Sequence, residues 1–243
     1  MKSRLAFCIA LLTTARFCAA QPPKVVSASP DFWSVGVSPT VKSVSITFDQ
    51  AMRAGFSDWF GRGVLSPASN SHSKVSEDRK TYELDVALQP ATVYVLALNE
   101  KGLPGVGFQN EKGFAAPPTF LVFQTAGTPP PDKAPPRVVS TIPPNGSQQL
   151  DPAKVRAVTI NFDQPMDAKK SGLQLVEDKK LVEPTAIRWQ YSPDGRAFTA
   201  AYDFKSSKTY ELTLNSVQNI GFTSANSIPL WPARLAFSTG QSQ

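Results

Sequence analysis

The 243-residue chain is poor in the side chains that do most chemistry: it has one histidine and two cysteines. Charge is sparse as well, at 18% Asp, Glu, Lys and Arg. Long apolar runs are missing beyond the first twenty residues, where no stretch of 18 consecutive apolar residues occurs. These shortages exclude most metal-ligand sets and most nucleophile–base pairs. Proline, by contrast, is abundant. Its 22 residues are about twice the usual share of roughly 5%. Low charge with many prolines predicts β-structure with frequent turns.

The first twenty residues read as a secretory signal peptide. Met1-Lys2-Ser3-Arg4 is basic, Leu5 to Thr14 is a short apolar run, and Cys18-Ala19-Ala20 offers small residues before a cut ahead of Gln21. Arg16 and Phe17 are a poor lead-in to lipid attachment at Cys18. Removing Lys2, Arg4 and Arg16 lowers the basic count from 25 to 22 against 19 acidic residues, so net charge falls from +6 to +3. Cys8 and Cys18 leave with the leader. The expected mature chain has no disulfide, no thiol nucleophile and no Cys-ligated zinc. Its address is secreted or periplasmic.

The chain then repeats itself. Val25 to Pro30 recurs as Val138 to Pro143, and Val44 to Met52 as Val158 to Met166. Tyr94 to Asn99 recurs as Tyr210 to Asn215, and Phe123-Gln124-Thr125 as Phe237-Ser238-Thr239. The offsets are 113, 114, 116 and 114. Four matches in one order mean two copies of one domain. We place domain 1 at 21–127, domain 2 at 137–240, and a linker at 128–136. Five of the nine linker residues are proline, which predicts a semi-rigid, extended spacer.

Each copy is all-β by pattern. Val44, Ile46 and Phe48 alternate with polar residues, as do Val158, Ile160 and Phe162. Tyr82, Leu84, Val86 and Leu88 match Phe198, Ala200, Tyr202 and Phe204. Tyr94, Leu96 and Leu98 match Tyr210, Leu212 and Leu214, and Leu121 and Phe123 match Leu235 and Phe237. Period-two alternation marks strands with one buried face. Turns fall at Pro143 to Gly146, at Ser192 to Gly195 and at Ser76 to Arg79. Short strands in about 100 residues predict two tandem immunoglobulin-like β-sandwiches. Tyr94 and Tyr210 stand where a tyrosine corner would pack.

With these residues in view, each copy resembles the bacterial Ig-like domain of the S-layer protein SbsA. The shared pattern is an opening proline, a strand ending in Phe-Asp-x-x-Met, a strand led by Tyr, and a closing Phe-x-Thr. Pro136, Phe162-Asp163-Gln164-Pro165-Met166, Tyr210 and Phe237-Ser238-Thr239 carry it in domain 2. Pro23, Phe48 to Met52, Tyr94 and Phe123-Gln124-Thr125 carry it in domain 1. The resemblance implies the fold and says little of function. Two departures stand out. The stretches Asn99 to Pro118 and Asn215 to Pro232 are long and lack the Asp-containing loop of the family. Domain 1 also carries an aromatic loop from Arg53 to Gly61.

Catalytic chemistry finds little to use. His72 lies in a polar segment and reads as a solvated histidine. Asp49 and Asp163 are equivalents in separate domains, so they read as strand-end residues and not as an acid–base pair. Asp163 with Asp167 is a weak Ca²⁺ candidate, because two carboxylates make a poor site for a hard cation. No cofactor is expected. Domain 1 is charge-balanced and the +3 sits in domain 2, scattered, so nucleic acid is not an expected partner.

The aromatic residues in the connections of domain 1 are the sharpest feature. Phe32, Trp33, Phe56, Trp59, Phe60, Phe108 and Phe114 form a candidate binding surface, or else cap the sandwich or pack on domain 2. Phe120 and Val122 lie opposite in parity to Leu121 and Phe123 and can face a neighbour. The expected function is a non-catalytic binding or spacer module at the bacterial cell envelope. Its partner would be an envelope protein or a surface glycan; the alternative is an accessory carbohydrate-binding protein.

Overall fold

A computed structural model describes residues 21–55, 59–61, 63–69, 74–100 and 107–241. The leader with Cys8 and Cys18, and also Phe56 and His72, lie outside the described residues, as does the side chain of Phe60.

The first copy contributes β1 (Val25–Ser29), β2 (Ser34–Val37), β3 (Ser43–Phe48), β4 (Trp59–Gly61), β5 (Lys74–Val75), β6 (Thr81–Asp85), β7 (Val93–Leu98) and β8 (Thr119–Thr125). They form two sheets, ordered β1-β3-β6-β5 and β2-β8-β7-β4. The second copy contributes β9 (Val138–Ile142), β10 (Ala157–Phe162), β11 (Leu173–Glu177), β12 (Lys180–Leu181), β13 (Arg188–Tyr191), β14 (Ala197–Ala201), β15 (Thr209–Leu214) and β16 (Ala233–Ser238). Its sheets are ordered β9-β10-β14-β13 and β12-β11-β15-β16. In immunoglobulin terms the first sheet of each copy is A-B-E-D and the second carries C-F-G. The chain is therefore all-β and Ig-like.

Both copies run β2 or its equivalent parallel to the last strand. In the first, Ser34 pairs with Phe123. In the second a single bridge, Leu150 to Thr239, replaces the strand. The other named strand pairs are antiparallel, with Ile46 opposite Tyr82 and Ile160 opposite Phe198.

The alternation read from sequence becomes the core. Ile46, Phe48, Met52, Tyr82, Leu98 and Phe108 fill one end of the first sandwich. Val44, Leu84, Tyr94, Leu96, Leu121 and Phe123 fill the rest. Ile160, Phe162, Phe198, Tyr210, Leu212, Leu214, Phe222 and Phe237 fill the second. Each buried aromatic of this size contributes several kcal/mol on burial, about 3–5 if truncated to Ala.

Both tyrosine corners form. The Tyr94 hydroxyl accepts the Gln89 N–H at 2.7 Å, and that of Tyr210 accepts the Lys205 N–H at 2.7 Å. Burial pushes the Tyr210 phenol up to about 12, so it stays neutral. The predicted turn at Ser192 to Gly195 is built as expected: Asp194 accepts the Arg196 N–H at 3.1 Å, and Asp78 accepts the Lys80 N–H at 3.1 Å in its counterpart.

The connecting segment differs from the extended spacer expected. Pro131–Lys133 forms a short 3₁₀ turn. The segment is also tied to the second sandwich: the Asn226 side chain donates to Asp132 O at 2.8 Å and Gln164 to Ala134 O at 3.0 Å. Proline supplies no backbone donor, so side-chain amides reach its neighbours' carbonyls instead.

Candidate functional site

The two sandwiches differ most on one face. In β15 and β16 buried residues alternate with exposed or half-buried ones, as in a sheet with a wet outer side. In β7 and β8 every residue is buried on both sides. The outward residues of β7 and β8 are Val93, Val95, Ala97, Phe120 and Val122. Their equivalents in β15 and β16 are Thr209, Glu211, Thr213, Arg234 and Ala236. A sheet buried on both faces needs a second layer.

That layer comes from the second sandwich. Ile220 and Ile228 join Leu65, Val93, Val95, Ala97, Phe120 and Val122 in one buried cluster, with Trp33 and Trp231 packed against it. All three second-sandwich residues belong to the loop between β15 and β16. Hydrogen bonds also cross the seam between described residues. The Phe120 N–H donates to Val217 O at 2.7 Å, and the Trp231 indole N–H donates to Trp33 O at 2.8 Å. The two indoles meet edge-on, with centroids 5.5 Å apart at 69°. Such pairs contribute about 0.5–1.5 kcal/mol beyond burial.

One asparagine in each copy ties the end of β7 or β15 to the chain that follows, Asn99 to Phe108 and Ala116 and Asn215 to Phe222 and Leu230. Asn215 is 1% exposed and has a left-handed backbone at φ 58°. Its side-chain amide donates to Phe222 O and Leu230 O, both at 2.8 Å, and its oxygen accepts the Phe222 N–H at 2.8 Å. Asn99, at φ 51°, repeats this with Phe108 O, Ala116 O and the Phe108 N–H, at 2.8–2.9 Å. Asparagine tolerates this backbone better than other non-glycine residues. Neither asparagine stands out by residue type or periodicity; the sequence signal for them is the Leu-Asn match at a 116-residue offset.

Of the two readings open for the aromatic residues of domain 1, an exposed surface or capping and packing, Phe108 and Trp33 take the second. Phe108 is 0% exposed and sits in the first core beside Phe48 and Tyr82, because Asn99 folds its loop inward. Trp33 is half-buried in the seam. Phe32 is half-buried against the first core, and Trp59 covers it with an edge-on contact to Phe108. Phe114 alone of the described set is exposed, at 41%. Phe120 and Val122 do face a neighbour, as their parity predicts.

The repeated aspartates clamp the first strand of each copy. Asp49 accepts the Lys24 N–H and Asp163 the Arg137 N–H, both at 2.9 Å. Asp167 accepts the Lys169 N–H at 3.1 Å. Among the described residues no group of three or more His, Cys, Asp or Glu stands together as a metal site. Among them, too, no helix is long and apolar enough to cross a membrane.

Several solved structures are similar over most of the chain, at low identity. The N-terminal part of the bacterial S-layer protein SbsC is 14% identical, over 90% of this chain and 45% of that one, with a TM-score of 0.31. An I-band fragment of titin is 13% identical, over 91% of this chain and 66% of that one, with a TM-score of 0.28. No curated protein matches the chain. Residues 132–239, the whole of the second sandwich with the end of the connecting segment, match the family model of the bacterial Ig-like domain.

Proposed function

We propose that the chain is an exported, non-catalytic pair of Ig-like domains of the S-layer type that serves the bacterial cell envelope as a rigid spacer and binding module. One observation carries this reading: the seam of Val93, Val95, Phe120 and Val122 against Ile220 and Ile228, closed by Trp33 and Trp231. Domains in a chain move relative to each other unless their interface is large and apolar. This interface is apolar and directionally hydrogen-bonded, so it supports a fixed angle between the sandwiches. A fixed angle is what a spacer needs. The bacterial Ig-like match of residues 132–239 supports the envelope address.

The carbohydrate-binding alternative loses support in the first sandwich, where Phe108 is core and Trp33 is seam. Small-angle X-ray scattering of residues 21–243 tests the spacer reading. One compact conformer should fit the profile, and Trp231→Ala should require a spread of interdomain angles. A native profile that already requires that spread removes the reading.

A further inference from the structure

Trp33 and Gly146 hold one place in the two copies. Both have a left-handed backbone, at φ 61° and 84°. Their N–H groups donate to equivalent carbonyls, Val122 O at 2.6 Å and Ala236 O at 2.7 Å. A bulky residue at positive φ is an outlier that calls for a reason. In the first sandwich the reason is visible: the indole packs on the cluster that holds Val93, Val95 and Val122.

In the second sandwich that indole is missing and its seat stays open. Among the described residues, nothing stands within 4 Å of where a Cβ on Gly146 would lie. A groove of about 440 Å³ results, bounded by Gly146, Val176, Lys179, Thr209, Glu211 and Ala236. Thr209, Glu211 and Ala236 are the counterparts of Val93, Val95 and Val122.

We propose that this groove is a docking site for an aromatic side chain, tryptophan above all, presented on a loop of an exported partner protein. The occupant follows from the chain's own precedent. The same frame of strands in the first sandwich takes an indole from within and, over it, a protein loop that brings a second indole, two isoleucines and a backbone carbonyl. The second sandwich keeps the frame. Val176 and Ala236 give an apolar floor, and Thr209, Lys179 and Glu211 give a polar rim. An apolar floor with a few polar groups at the edge is the usual form of a specific pocket, and the volume lies within the usual range of about 300–1,000 Å³. A polar rim also keeps the seat soluble when empty, which the all-apolar face of the first sandwich is not. This inference concerns the groove alone and does not depend on the fixed angle between the sandwiches.

The test is an NMR titration of residues 21–243 with N-acetyl-tryptophanamide. The amides of Gly146, Thr209, Glu211 and Ala236 should shift together, and those of the seam should not. Gly146→Trp should plug the groove from inside, as Trp33 does in the first copy, and weaken binding about thirtyfold, the loss typical of a blocked aromatic anchor. Ala236→Arg, at an exposed floor position, should do the same if Gly146→Trp does not fold. No shift at these amides up to the solubility limit overturns the proposal. So do shifts that persist in both variants, or shifts produced by a glucan oligosaccharide and not by the indole.

Discussion

Replacing Asn215 with alanine should be among the most damaging single changes in the second sandwich. The side chain is 1% exposed and makes three hydrogen bonds of 2.8 Å to the backbone of Phe222 and Leu230. Each such bond contributes about 1 kcal/mol net, and its loss leaves buried backbone groups without a partner. Alanine also pays about 1 kcal/mol at φ 58°. The total is about 4 kcal/mol. For a domain of this size each kcal/mol moves the melting point by about 4–8 °C, so Tm should fall by about 15–30 °C. Calorimetry of Asn215→Ala beside the unaltered chain measures it. Asn99→Ala should cost less, because Asn99 is only half-buried. A loss below about 1 kcal/mol for Asn215→Ala would refute the claim that this one side chain organises the loop.

Other outcomes follow from single contacts. Trp231→Phe should cost about 1–2 kcal/mol, because it removes the indole N–H that Trp33 O accepts, while Trp33→Phe should cost less, since no described residue accepts a hydrogen bond from its buried Nε1; thermal melts of the two variants compare them. Gly221→Ala should destabilise by about 1–3 kcal/mol, because a Cβ there runs into the backbone of Ser171 and Gly172, and urea unfolding reads that loss. Lys208 and the Thr209 N–H hold the Asp178 carboxyl down to about 2. Its contribution is therefore complete above the unfolded value near 3.9 and lost as pH falls toward 2, so Asp178→Asn should flatten the stability profile between about pH 4 and 2 and leave the slope above pH 5 unchanged.

Much of the fold is legible in the sequence because parity decides which residues face inward. Val44, Ile46 and Phe48 sit in the core as their alternation predicts, and so do their partners 114 residues later. Parity does not say what covers the other face. Tyr94, Leu96 and Leu98 alone account for a strand with one buried face, so Val93, Val95 and Ala97 add nothing to the alternation. The unbroken apolar run Val93 to Leu98, against Thr209, Glu211 and Thr213 in the other copy, was the signal for a second layer. Phe108 shows the same thing, since the sequence leaves a loop aromatic equally able to form a surface or to cap the sandwich. A loop aromatic looks exposed until something folds it inward, and Asn99 does so through hydrogen bonds that no periodicity reveals. Trp33 at the position of Gly146 was also readable from the repeat, but only with the left-handed turn in view does that exchange gain meaning.

The proposed spacer role requires that the two sandwiches form one rigid body through the Trp33–Trp231 seam. Residual dipolar couplings of backbone amides in residues 21–241 test it most directly. The couplings of β1–β8 and β9–β16 should fit a single alignment tensor, and Trp231→Ala should split it into two of different magnitude. Two different tensors in the unaltered chain would mean that the sandwiches move independently and that the seam does not fix them.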